Sequence, residues 1–150
     1  MTRFRRLENC VKLTIYYPEL ESTLALPLHQ SLIPAGFPSP ADDYMELQLD
    51  LNEHLVQNPS ATFFAKVKGH SMEDAGIYEG DILVVDRSKE VRNNDIAVCI
   101  INGEFTVKRI CMNGKQITLV PESRAYQPFE ITEEHQFMVW GLVTYVIHKP

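Results

Sequence analysis

The sequence predicts a mainly β protein: a compact antiparallel β domain with one short helix, preceded by an extended N-terminal arm. Three observations carry that expectation. From residue 44 onward, short runs rich in Val, Ile, Phe and Tyr are bounded by Gly, Asn, Asp or Pro, the pattern of consecutive strands. Asn102-Gly103 and Asn113-Gly114 fall between such runs, and Asn-Gly is the strongest short-range signal of a tight hairpin. Before residue 41, proline recurs at Pro18, Pro27, Pro34, Pro38 and Pro40, and no long helix can run through that spacing. A chain of 150 residues suits one domain with a tail, and a hydrophobic content of 45% supplies a core. The expected division is residues 1–40 as the arm and 41–150 as the β domain.

In the arm, "KLTIYY" reads as a short strand and the rest as extended chain. "LIPAGFPSPADDY" places Gly36 between proline-bearing turns, so the backbone there should be extended and poorly protected. The helix is assigned to "DLNEHLVQN": Asp50 can cap it, Glu53 stands at the capping-box position, and Pro59 follows its end. The strands are assigned to "ATFFAKV", "DILVVD", "DIAVCII", "EFTVKRI", "QITLVP" and "QFMVWGLVTYVI".

Composition removes several function classes. No run approaches the roughly 18 apolar residues of a membrane span, and the basic start "MTRFRRLENCVKL" lacks a continuous apolar h-region, so neither a membrane helix nor a secretory signal is expected. Cys10, Cys99 and Cys111 are far apart and fit neither a disulfide framework nor a CxxC metal site. Reduced cysteines and a cytoplasmic setting are expected. Residues 1–35 carry net +1 and residues 36–150 net −7. An acidic body is a poor match for a phosphate backbone, so direct sequence-specific nucleic-acid binding is not expected, and "RFRR" reads as a solvated charge run. The five histidines are scattered, without HExxH or HxH spacing. No GxxxxGK[ST], GxGxxG or GxSxG is present. No metal and no cofactor is expected.

What remains is Ser71 in "VKGHSMEDAG", at the end of an apolar run, and a lysine to take its proton. A serine hydroxyl is a weak nucleophile until a base activates it. At pH 7 about one ordinary lysine in 2500 is neutral, so a lysine base must titrate roughly three pH units lower, a difference of about 4 kcal/mol. Desolvation against an apolar wall supplies an effect of that size, so the base should lie inside a strand. Lys108 in "EFTVKRI" meets that requirement, with Val107 and Ile110 near it. Lys66 and Lys68 also lie in an apolar strand but sit close to Ser71 in the chain. Strict alternation, however, puts Lys108 on a polar face with Glu104 and Thr106, where a lysine is ordinarily solvated. A Ser-His-Asp triad fits the residue types equally, with nothing to select its members.

"GHSMEDAGIYEGDILVVD" followed by "GEFTVKRI" resembles the serine–lysine autoprotease domain of the LexA/UmuD family (peptidase S24). Ser71 and Lys108 are 37 positions apart, the spacing of that family's dyad. "AGFPSPADDY" resembles its self-cleavage segment, with Ala35-Gly36 as the scissile pair. "DLNEHLVQNPSATFFAKVKG" and "VWGLV" resemble its UmuD branch, and the likeness covers about residues 26–147. The proline-broken arm has no helix-turn-helix of the kind that precedes the cleavage site in LexA-like repressors.

The resemblance implies the LexA/UmuD C-terminal β fold, with Ser71 as nucleophile and Lys108 as general base. It implies backbone N–H groups of His70 and Ser71 as oxyanion donors, and self-cleavage at Ala35-Gly36 favoured by a RecA filament on single-stranded DNA. It further implies a processed homodimer that joins a UmuC-type Y-family polymerase in translesion synthesis during the SOS response. The alternatives are a LexA-like regulator without its own DNA-binding domain and a non-cleaving binding module of the same fold. Two departures stand out. His70 occupies a position where the family leads one to expect Asp, Asn or Met, and the arm, with "TRFRRLENC", is longer than the UmuD pattern.

Overall fold

The computed structural model describes residues 12–16, 25–29, 35–36 and 46–150. The order is β1 (Lys12–Tyr16), β2 (Ala25–His29), β3 (Glu46–Asp50), α1 (Leu51–Leu55), β4 (Thr62–Lys68), β5 (Ile82–Asp86), β6 (Ile96–Ile101), β7 (Glu104–Asn113), β8 (Gln116–Val120), β9 (Phe129–Glu130) and β10 (Phe137–Ile147). Single 3-10 turns occur at Pro59–Ala61 and Glu73–Ala75. The fold is mainly antiparallel β, and α1 is the one α-helix among the described residues. The basic start through Arg6, Cys10 and the proline-bearing stretch after Gly36 lie outside the described residues.

The chain forms two compact units. The smaller lies within Glu19–Gln57. Its β2 and β3 pair antiparallel, from Ala25↔Asp50 to His29↔Glu46. Pro27 is tolerated in β2 because a two-stranded sheet consists only of edges, where a missing N–H breaks no second ladder. No strand was expected in this segment, because its proline masks the strand pattern. Asp50 caps α1 as expected: its carboxylate accepts the Asn52 N–H at 2.9 Å. The helix is shorter than the sequence promised. Val56 leaves helical geometry at φ −113°, ψ 85°, and Asn58, before Pro59, is held out of the α region by the proline ring.

The larger unit holds β1 and everything from Asn58 on. Its eight strands run in the order β1-β4-β5-β10-β6-β7-β8-β9. The "KLTIYY" strand is therefore a sheet edge, with Lys12 opposite Lys68 and Tyr16 opposite Phe64. The first hairpin turns on Asn102 (φ 49°) and Gly103 (φ 80°), between the paired Ile101 and Glu104, as a type I′ turn requires. In the second, Asn113 is still paired, with Gln116, so the two loop residues are Gly114 (φ 61°) and Lys115. β10 is long enough to serve two neighbours. Phe137–Leu142 pairs with β6 and Leu142–Ile147 with β5, with register shifts at Val139/Gly141 and Val143/Tyr145.

Two apolar clusters cover the two faces of this sheet. One gathers Ala65, Val67, Met72, Ile77, Leu83, Val85, Val98 and Val107, and the other Ala97, Cys99, Ile101, Ile110 and Leu119. Adjacent residues of β6 and β7 thus enter opposite cores, Val98 and Val107 on one side and Ala97, Cys99 and Ile110 on the other. A strand buried on both faces has no solvated side for a lysine to occupy.

Candidate active site

Ser71 lies just beyond the end of β4. Gly69, with φ 107°, turns the chain out of the strand in a conformation that a Cβ would strain. Met72 then enters the first core cluster with no exposure, and the Glu73–Ala75 turn follows, closed by Gly76 at φ 78°. The Met72 carbonyl accepts the N–H groups of Ala75 and Ile77, at 3.1 and 3.2 Å. The burial of Met72 draws Ser71, itself 0% exposed, under the surface.

Lys108 comes from the middle of β7, opposite Ala97 in β6. It shares its face with Ile110 and is 8% exposed. Its Nζ lies 2.9 Å from Ser71 Oγ, 3.1 Å from Thr106 Oγ1 and 3.1 Å from the Val107 carbonyl oxygen. As an ammonium it can donate to each of these three acceptors. The face that alternation marked as polar is thus the second core, with Thr106 (1% exposed) and Lys108 as its polar inclusions. Cys99 stands opposite Thr106 in the ladder. Burial pushes its thiol up to about 12, against the opposing influence of the Lys108 charge.

The structure brings Ser71 and Lys108 together. Lys66, the alternative strand lysine, is exposed on β4, as is Lys68. His70 stays at the surface: its Nδ1 is 2.6 Å from Glu73 Oε1 and its Nε2 3.6 Å from Glu79 Oε2. Ala35 and Gly36 form an exposed bend in the Glu19–Gln57 unit. Thr106 was missed as part of the site. The signal was its place two residues before Lys108 on one strand face, which becomes informative only once that face is known to be buried. Glu122 was also missed. Its carbonyl accepts the Asp74 N–H at 2.7 Å and its carboxylate pairs with Arg109, so one residue ties the Ser71 segment to the strand of Lys108. Among the described residues, no three His, Cys, Asp or Glu side chains are grouped to hold a metal. No helix among them is long and apolar enough to cross a membrane.

Residues 27–144 match the family model described as Peptidase S24-like. The chain is 40% identical over 144 residues to Protein ImpA of Escherichia coli, covering 91% of this chain and 95% of that protein. It is 43% identical over 138 residues to Protein SamA of Salmonella typhimurium, covering 91% and 96%. It is 41% identical over 122 residues to Protein MucA of Escherichia coli, covering 81% and 83%. The buried serine beside a buried lysine thus sits in a chain that matches a peptidase family over most of its length, and the chain belongs to the Peptidase S24-like family, as a UmuD-like protein of the LexA/UmuD group.

Proposed function

We propose that this protein is a self-cleaving serine endopeptidase that cuts its own arm between Ala35 and Gly36. The carrying observation is the 2.9 Å contact between Lys108 Nζ and Ser71 Oγ, with both residues buried. Burial beside Ala97 and Ile110 penalises the ammonium and favours the neutral amine. The amine has two hydrogens and a lone pair. Thr106 Oγ1 and the Val107 carbonyl accept the hydrogens, which leaves the lone pair directed at the Ser71 hydroxyl. These three contacts orient the base.

Lys108 takes the proton from Ser71 as Oγ attacks the Ala35 carbonyl carbon. The backbone N–H groups of His70 and Ser71 hold the oxyanion. The tetrahedral intermediate collapses as the Lys108 ammonium gives its proton to the departing Gly36 nitrogen, leaving an ester between Ser71 and Ala35. Water, deprotonated by Lys108, hydrolyses that ester and restores the hydroxyl. The exposure of the bend at Ala35-Gly36 supports its being open to attack. Positioning an arm of the same chain is worth up to roughly 7–11 kcal/mol, so docking of the arm governs the rate.

The reading extends to a division into arm (1–40) and protease domain (41–150), a cytoplasmic setting, and cleavage stimulated by a RecA–single-stranded DNA filament. The 36–150 product would act as a homodimer with a UmuC-type Y-family polymerase in error-prone translesion synthesis during the SOS response. The family membership supports this part, and the site geometry supports the chemistry. The test is incubation of the purified protein at alkaline pH, with and without the RecA filament, read by mass spectrometry. A new N-terminus at Gly36 is expected, absent in Ser71→Ala and Lys108→Ala. Wild-type protein left intact under both conditions sinks the protease reading and leaves a binding module of the same fold.

A further inference from the structure

We propose that His70 is a positioning residue for Ser71, acting through Glu73 and Glu79; the inference rests on the reading of Ser71 as the nucleophile. Ser71 has a firm anchor on one side only. Met72, which follows it, is fully buried and its carbonyl accepts two backbone N–H groups. On the other side is Gly69, at φ 107°, a residue whose missing Cβ leaves the backbone free to swing. His70 stands between that hinge and the nucleophile.

The His70 ring spans the gap. Nδ1 meets Glu73 in the 3-10 turn at 2.6 Å, and Nε2 faces Glu79 at 3.6 Å. Glu79 belongs to a turn that is itself fixed to the end of β4. The Gly80 N–H donates to the Val67 carbonyl at 2.9 Å, and the Val67 N–H donates to the Asp81 carbonyl at 2.9 Å. The imidazole therefore lies between the Ser71 segment and a turn locked onto the strand before the hinge. In this clip Glu73, at 2.6 Å, is within hydrogen-bond distance of the ring, and Glu79, at 3.6 Å, lies just beyond it.

The ring and its partners are exposed, at 59%, 40% and 49%, so the clip adds little to global stability. A nucleophile is more sensitive than a fold. A displacement of about 1 Å costs on the order of 100-fold in rate. The clip accordingly acts on the rate of self-cleavage and leaves melting almost unchanged.

Alkaline self-cleavage of the full chain is measured for wild type, Ser71→Ala, His70→Ala, His70→Gln, the Glu73→Gln/Glu79→Gln pair, and that pair combined with His70→Ala. His70→Ala is expected to be about five-fold slower, the scale of one net hydrogen bond, with its melting temperature held. His70→Gln keeps a donor and recovers about half of the loss. The carboxamide pair slows cleavage as much as His70→Ala, and adding His70→Ala to it changes nothing further, because the contact is already gone. A His70→Ala protein that cleaves at the wild-type rate overturns the inference. So does a loss that adds in full to that of the carboxamide pair, or one that merely follows a fall in melting temperature. Wild type that stays uncut, or is cut no faster than Ser71→Ala, overturns the dyad reading and this inference with it; wild-type cleavage with an unaffected His70→Ala overturns this inference alone.

Discussion

Thr106 and Lys108 stand two positions apart on one face of β7, and the Thr106 hydroxyl accepts a hydrogen bond from Lys108 Nζ at 3.1 Å. The strand backbone fixes that spacing, so the acceptor is in place before any substrate arrives. Thr106→Val keeps the shape and removes the acceptor. Self-cleavage at alkaline pH should slow by about ten-fold, the equivalent of one hydrogen bond of about 1.4 kcal/mol. Cleavage at the wild-type rate would show that the Thr106 hydroxyl does not orient the amine.

Cys99 faces the same buried layer, and its thiol is pushed up to about 12 by burial, with the Lys108 charge acting against that. At pH 8 only about one such thiol in 10,000 is ionised, and the thiolate is the reactive form. Iodoacetamide on the native protein should therefore spare Cys99, while Cys111, which is partly exposed, is alkylated. Peptide mapping after short exposure reads the difference. Equal labelling of both in native protein would mean that the layer around Lys108 is wet.

The strands of the larger unit were legible because Val, Ile and Phe runs between turn residues are a local signal. The Asn102-Gly103 hairpin was legible for the same reason, since positive φ at two residues in succession selects that dipeptide. The burial of Lys108 was not legible. Alternation reports two faces but does not say whether a second layer covers the polar one, and that cover comes from distant residues such as Leu119, Phe129 and Phe137. Neither was β2, where a proline at a sheet edge erases the strand pattern. The family spacing of Ser71 and Lys108 pointed to the pair that periodicity left open, and the ladder between β6 and β7 gives the physical reason Lys108 is buried.

Asp86 ends β5 and is 3% exposed. Burial works against its charged form. Hydrogen bonds from Asn58 Nδ2 at 2.7 Å, and from the Ser88 N–H and hydroxyl at 2.8 and 2.6 Å, act with the nearby Lys89 charge to outweigh that burial. The net effect holds the carboxyl below its usual value of 3.8. A group whose folded value is depressed contributes stability that is present above the unfolded value and is lost as pH falls through the folded one. Asp86→Asn should thus destabilise the protein by roughly 1–3 kcal/mol at pH 7 and by much less near pH 3. Urea unfolding of both proteins at the two pH values measures the gap. A gap that does not narrow with acid would remove Asp86 from the acid sensitivity of the fold.

Gly141 lies at a register shift in β10, where the strand passes from β6 to β5. A Cβ there would meet Val85 Cγ1 at 2.6 Å, Arg87 Cγ at 3.3 Å and the Asp86 carbonyl oxygen at 3.4 Å. The arginine stem can move aside. Val85 cannot, because it is 0% exposed and packed with Leu83 and Val98 in the first core cluster. Gly141→Ala should therefore push β10 away from β5 and cost roughly 1–3 kcal/mol, the usual penalty of overpacking. The Gly141→Ala/Val85→Ala double variant opens the space and should recover part of that loss, although Val85→Ala alone leaves a cavity. Equilibrium urea unfolding of the two single variants and the double variant tests this. A double variant whose loss equals the sum of the two single losses would show that the side chains do not meet and that the register shift has another cause.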